Sequence, residues 1–569
     1  MSGARLAILI LALGMIFSAA LRIAAVAGKK TLDHDEGISY LSATGHQGDY
    51  SRIDENRPFG TWVEASEWKK FLQIEKILCF KQISSDLARH DIHPPLYFWL
   101  LHLWSLLFGI HLWTGPSLNI LISIIAIPLL YALAHSILKN PIEAAVAAFV
   151  WALSPTVMQV SCQARQYDLL AFCTILLILQ IVRCTDTTRD FQSREFILLS
   201  ISTAAGALTH YNFSFIIFGC GLFLIARLIK KNGRRLASGI VSMAAGLFLF
   251  FLIHPRFLLS LKLQMAQAQA FRYAEIIPRL KAILFTFGTF FWHGMPFIYL
   301  YSPAILYRYI YPLLMISLLV SLSVIYFKTR LRIADHFRRT DYTGYYVLYF
   351  FLWIAGVTVF SYICFLSPKH AMGPRYLVMA WPFFAFLPVL IIRFFRRFKT
   401  VLMISLCFLQ TLFGSMDMLY FNYPNSKRPE PNALLKDSDM ILVDNVRRGV
   451  LPGIFWHIPH DKLMFAADQR YLLDHPEMWQ TKLVPKSTYV SVLLYGNSIQ
   501  QQQEILDLIG RNHRTIPISG GVWQLGNVFR IEEKIPGEFS SGFQRHLSWA
   551  NSKNFARSPV RPFLSNRLM

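Results

Sequence analysis

The chain has 569 residues and a formal net charge of +23; 54% of its residues are hydrophobic, 15% aromatic and only 16% charged. Soluble proteins carry about 25% charged residues, and apolar runs of about 18 or more residues recur here as far as Leu419, which excludes a soluble fold. The basic residues gather in short clusters between apolar runs, a pattern of membrane orientation that argues against a nucleic-acid partner.

About eleven membrane spans are predicted. They cover 6–27, 117–138, 144–160, 169–182, 196–209, 213–229, 236–253, 304–327, 346–366, 376–392 and 401–420. The first apolar run resembles a secretory signal, but the many later spans favour an uncleaved anchor. Basic clusters at 183–194, 230–235, 328–339 and 393–399 then fall on one face, which the positive-inside rule makes cytoplasmic. Lys29 and Lys30 run against this pattern. The expected location is the inner (cytoplasmic) membrane, with the chemistry and the C-terminal domain on the extracytoplasmic side.

The first outer loop, 28–115, is too long to be structureless. Its segment 62–81 reads as one amphipathic helix. Residues 96–108 form an apolar stretch too short to span and suited to an interface, started by Pro94 and Pro95. Beyond residue 421 the composition shifts. Strand-like runs at 440–443, 489–494 and 522–531 and a helix at 499–509 predict a small α/β domain over 422–536, ahead of a basic tail at 537–569. The predicted fold is therefore a polytopic α-helical membrane module over 1–421, including the loop, with an outer α/β domain. The seven cysteines form no CxxC pair and no Cys/His set with zinc spacing.

Polar residues with chemical potential concentrate in the outer segments. They are Asp33-His34-Asp35-Glu36, then Arg89 to Pro95 (RHDIHPP), then Gln163 to Asp168 (QARQYD), then Lys369-His370 with Gly373-Pro374-Arg375-Tyr376; His210-Tyr211-Asn212 is a fifth group. Each has a plain structural reading. An acidic cluster after a span is usually solvated loop, and Arg165 or Arg375 at a helix end is usually a headgroup anchor. The histidines His34, His90 and His93 leave a metal open as an alternative, although their spacing matches no standard motif. Together the groups suit sugar transfer from a lipid phosphate. An acceptor hydroxyl needs a carboxylate to take its proton. The departing phosphate needs fixed cations, which arginine supplies in bidentate fashion.

The ordered set DHDEG, DIHPPLYFWL, SPTVMQVSCQARQYDLL and GPRYLVMAWP resembles the GT-C glycosyltransferases over about 6–395, on the branch of bacterial relatives of protein O-mannosyltransferases and of the aminoarabinose transferase acting on lipid A. The resemblance implies an inverting transferase with a polyprenyl-phosphate sugar donor and a lipid, glycan or protein acceptor. It makes Asp35 the favoured base with Glu36 beside it, and Asp33 a local competitor. It places the family's acidic-His-Pro-Pro element on Asp91, His93, Pro94 and Pro95. Its Glu-Ala-Arg-x-Tyr element falls on Gln163, Ala164, Arg165 and Tyr167, where glutamine replaces the usual acid. Arg375 and Tyr376 are implied donor-phosphate contacts, and Lys369 and His210 complete the expected binding set. No cofactor is expected, with a divalent cation as the alternative. Two other classes compete. A transporter or flippase is disfavoured because most spans lack ionisable residues at their centres. An assembly factor would depend on the C-terminal domain rather than on Asp35.

Overall fold

The structure is a computed structural model. It describes residues 2–55, 58–91, 93–186, 192–267, 289–291, 350, 353, 356, 374–393, 395–422, 438–444, 450–485, 488–492, 499–522 and 526–534. The span predicted at 304–327, most of that at 346–366, the basic cluster 328–339, Lys369 and the tail 537–569 lie outside the described residues. The chain divides into two units. One comprises Met1–Gly28, Asp91–Leu100 and Gly115–Phe421; the other comprises Lys29–His90, Leu101–Thr114 and Asn422–Met569.

Helix is found in every predicted span that falls on described residues. Among those residues, Gly3–Ala27, Thr114–Leu138, Tyr167–Thr185, Gly233–Ile253 and Lys399–Leu419 are long and apolar enough to cross a membrane. A sixth candidate is the pair Pro141–Ala152 and Pro155–Ser161, bent by 55°. Leu96–Phe108, Phe213–Leu228 and Trp381–Ile392 are shorter apolar helices.

The bend corrects the reading of 144–160 as one continuous span. Pro155 has no N–H to offer the preceding turn, so it ends one helix and starts the next. The carbonyls released at the break need donors, because irregular backbone at membrane depth survives only where protein satisfies it. Arg22 Nη1 donates to the Ala152 carbonyl at 3.2 Å, and Gln410 Nε2 to the Leu153 carbonyl at 3.2 Å. The Ser154 hydroxyl donates to the Phe290 carbonyl at 2.6 Å.

Polar groups of this unit collect at two ends. At one end, buried Glu143 takes Arg393 Nε at 2.5 Å and Lys399 Nζ at 2.6 Å. At the same ends of their helices, Lys139 approaches Asp186 at 3.9 Å and Arg235 Nη1 donates to the Asp186 carbonyl at 2.6 Å. Arg393, Lys399 and Arg235 come from two of the four clusters read as cytoplasmic, and Asp186 lies within a third. The 19-residue helix Tyr167–Thr185, about 28 Å long at 1.5 Å per residue, runs from this end to the other. That length is close to the roughly 30 Å of bilayer hydrocarbon.

Close helix approach depends on one small residue. A Cβ built on Gly246 would stand 2.4 Å from the Ser200 carbonyl oxygen, where helices Ser193–Thr209 and Gly233–Ile253 pack. Gly246→Val must push the two apart, and overpacking of this kind costs about 1–3 kcal/mol. We expect a lowered melting temperature in detergent; an unchanged melting curve would show that the helices separate freely.

The second unit is built on a six-stranded sheet. In chain order the strands are β1 (Val63–Glu64), β2 (Met440–Asp444), β3 (Leu463–Ala467), β4 (Thr488–Val492), β5 (His513–Val522) and β6 (Gly526–Glu533), arranged β1-β3-β2-β4-β6-β5. β2 runs parallel to β3 and β4, whereas β6 is antiparallel to β4 and β5. Leu442, Phe465, Trp479, Ile505 and Ile531 are core residues here.

Two expectations change. Residues 62–81 do not form one helix: β1 pairs with β3 through Val63 and Met464, and the helix Ala65–Lys69 is short. Trp62 packs on Phe465 and Trp68 on Phe455. Of the apolar residues that suggested a helical face, Leu78 is exposed and Phe71 packs on Tyr50, while Trp62 serves the sheet core. For the same reason the first outer loop, expected to belong with the membrane helices, groups largely with the C-terminal residues.

Asp444 closes β2 fully buried, and Gln469 Nε2 donates to its Oδ2 at 2.5 Å. Burial pushes its carboxyl up to about 8. A carboxyl whose folded pKa is raised contributes its full stability below the unfolded value near 3.9 and loses it as pH rises through the folded value. Thermal stability of this unit should therefore decline between about pH 4 and about pH 8. Asp444→Asn should flatten that slope; an unaltered slope in the variant would assign the dependence to other groups.

Candidate active site

The end of the helical unit opposite Glu143 carries His93, His210 and Arg165. Pro94 and Pro95 stand directly before helix Leu96–Phe108, and a proline disfavours helical backbone at the residue before it, here His93. There Asp91 and His93, both partly buried, meet: His93 Nδ1 lies 2.8 Å from Asp91 Oδ1. Arg165 Nη2 donates toward His93 Nε2 at 3.4 Å. With Nε2 accepting, Nδ1 carries the hydrogen and donates to Asp91, so the network sets the tautomer. The His210 ring lies edge-on to His93, with centroids 6.0 Å apart.

His210 Nδ1 accepts the Asn212 backbone N–H at 3.1 Å, leaving Nε2–H as a donor. Burial, with the nearby His93 and Arg165, pulls its pKa down to about 3, so it stays neutral. Tyr211, beside it, shares a 2.9 Å hydrogen bond with His254 Nε2. Burial raises the Tyr211 phenol to about 12 and lowers His254 to about 4. The arrangement offers one permanent cation and one neutral imidazole donor, His210 Nε2–H, close to the start of helix Tyr167–Thr185, and both attract an anion. Tyr167 is buried at that helix start.

The loop that carries Arg165 is held from below. Asn119 Nδ2 donates to the Gln163 carbonyl at 2.5 Å and to the Arg165 carbonyl at 2.8 Å. Ser161 Oγ donates to Asp168 Oδ1 at 2.8 Å, and Arg22 Nη2 donates to Ser123 Oγ at 3.1 Å. Asp168 also senses the Arg22 charge. Arg22, Asn119 and Asp168 were not singled out for roles from sequence. A charge inside an apolar run was the available signal for Arg22; Asn119 gave none.

The acidic cluster belongs to the second unit. Asp33 is the N-cap of helix His34–Thr44, and Glu36 completes a reciprocal cap, its Oε2 accepting the Asp33 N–H at 3.1 Å. The other Glu36 oxygen takes Lys29 Nζ at 2.5 Å, with both side chains buried. Asp35 is a third exposed and pairs with His34 Nδ1 at 3.3 Å. Burial, then repulsion from Glu36, raises Asp33 to about 6 against the opposing pull of Lys29. Lys29, one of the two exceptions to the charge pattern, is thus neutralised locally.

Arg375 lies partly buried in the 3-10 turn Pro374–Leu377, which also contains the Tyr376 backbone. The Tyr376 side chain and all of Lys369 lie outside the described residues. Among the described residues, no three His, Cys, Asp or Glu side chains stand as a metal-ion set.

Residues 92–258 match the family model described as dolichyl-phosphate-mannose-protein mannosyltransferase. No curated protein sequence matches the chain. Among solved structures, ArnT from Cupriavidus metallidurans bound to undecaprenyl phosphate superposes with a TM-score of 0.51 at 11% identity, covering 92% of this chain and 97% of that one. Its apo form gives 0.50 at 10% identity over the same shares. At such identity these likenesses establish the fold alone. Residues 92–258 are thus similar to the dolichyl-phosphate-mannose-protein mannosyltransferases, and the fold of the chain is similar to that of ArnT.

Proposed function

We propose that the protein transfers a sugar from a polyprenyl-phosphate donor to an acceptor hydroxyl at the extracytoplasmic face of the cytoplasmic membrane, with inversion at the anomeric carbon. The observation that carries this reading is the chain Asp91–His93–Arg165 with neutral His210 beside it, at the end of the helical unit away from Glu143, Arg393 and Lys399.

Arg165 takes the charge that develops on the leaving phosphate. His93 orients Arg165, and Asp91 holds His93 in the tautomer that accepts from the guanidinium. His210 donates from Nε2 to a phosphate or sugar oxygen. Arg375, Tyr376, Tyr167 and Lys369 complete the donor site. Asp35 takes the proton of the acceptor hydroxyl as the new glycosidic bond forms and the bond from the sugar to phosphate oxygen breaks. Its partial exposure suits a group that meets an acceptor. Glu36 has both oxygens engaged, by Lys29 and the Asp33 N–H, so it fixes the turn rather than moving protons. The likeness to ArnT, solved with undecaprenyl phosphate, supports the same reading.

The test is reconstitution of the purified protein with polyprenyl-phosphate sugars and a panel of lipid, glycan and peptide acceptors. Release of polyprenyl monophosphate coupled to a glycosylated product is expected. Movement of the lipid across the bilayer with no new glycosidic bond would favour a flippase.

A further inference from the structure

We propose that Asn119 is a positioning residue for Arg165, a role resting on the donor site proposed above. Residues 163–165 make a tight turn in which the Arg165 N–H donates to the Gln163 carbonyl at 2.8 Å. The turn leaves the Gln163 and Arg165 carbonyls close together and buried beneath the helix start. Two such oxygens repel unless a donor stands between them. The Asn119 amide does so, at 2.5 Å and 2.8 Å, from helix Thr114–Leu138. A carboxamide is suited to this task because its NH2 carries two hydrogens without a charge. The flipped amide would set Oδ1 against both carbonyls, so the network also fixes its orientation.

With the backbone on both sides of Ala164 pinned, the Arg165 guanidinium is held toward His93 before any donor arrives. Such preorganisation matters because cations stabilise a developing charge best when they need not move. A misplacement of about 1 Å can cost about 100-fold in rate. The chemistry at Arg165 itself is unchanged by Asn119; only its placement depends on it.

The experiment is a double-mutant cycle on the full-length protein in detergent, with Asn119→Ala, Arg165→Ala and the double variant. Transfer kinetics and affinity for polyprenyl monophosphate are both measured. Asn119→Ala is expected to lower kcat/KM for the lipid donor by about 10- to 100-fold and to leave the acceptor KM unchanged. In the Arg165→Ala background it should cause little further loss, because its only route to the donor is gone. Asn119→Ser, which keeps one donor hydrogen, should fall between wild type and Asn119→Ala, and serves if the alanine variant fails to fold. Equal losses in both backgrounds, or no loss, would overturn the proposal. A wild-type protein that binds the lipid phosphate but transfers no sugar would sink the transferase reading alone, and the same cycle on affinity would still decide Asn119. A wild-type protein that does not bind it would overturn both.

Discussion

Asp35→Asn is expected to abolish sugar transfer, by about 100- to 10,000-fold, the range a positioned general base contributes. The protein should still fold, since Asp35 makes neither of the two cap hydrogen bonds, which Asp33 and Glu36 supply. The informative control is Asp33→Asn. Burial and repulsion from Glu36 raise Asp33 to about 6, which on chemical grounds alone would suit a base. Yet it serves as the N-cap, and asparagine caps a helix as well as aspartate does. Asp33→Asn should therefore keep most activity. A dead Asp33→Asn beside an active Asp35→Asn would exchange the two assignments. Turnover measured with one purified donor on both variants decides between them.

The second large effect is expected at Arg165. Arg165→Ala removes the cation nearest His93, and loss of one preorganised charge-stabilising group costs about 100- to 1,000-fold in kcat. Arg165→Lys should recover little of this, because an ammonium cannot present two parallel N–H groups to phosphate oxygens. His93→Ala should cost less than Arg165→Ala, and Asp91→Asn less again, since each acts one hydrogen bond further away. A reversed order, with Asp91→Asn the most damaging, would make Asp91 a direct participant in proton transfer. Steady-state kinetics on the four variants gives the ranking.

Much of this architecture was readable from apolar spacing. Helices meet each predicted span among the described residues because a run of apolar side chains in hydrocarbon has few other ways to satisfy its backbone. The break at Pro155 was visible as a proline but was overridden by the apolar run on both sides. The segment 62–81 misled for another reason: helical spacing of Trp62, Trp68 and Leu72 reports burial, and the partner that buries Trp62 is a strand some 400 residues later.

The candidate site was legible in part. Asp91 and His93 lie two residues apart before a Pro-Pro pair, so their contact is local. Arg165 stands 72 residues from His93, and nothing in the sequence alone joins them. Lys29 is the converse case. As a charge after the first span it seemed to contradict the orientation, but seven residues on it finds Glu36, and a buried, paired lysine carries little weight as a topology signal.

The central claim is that the donor phosphate sits against Arg165. A structure of the full-length protein with polyprenyl phosphate bound measures this directly. The account predicts the phosphate within hydrogen-bond reach of the Arg165 guanidinium and His210 Nε2, with the lipid chain leaving between helices. A phosphate bound instead at the opposite end, among Arg393, Lys399 and Arg235, would contradict it.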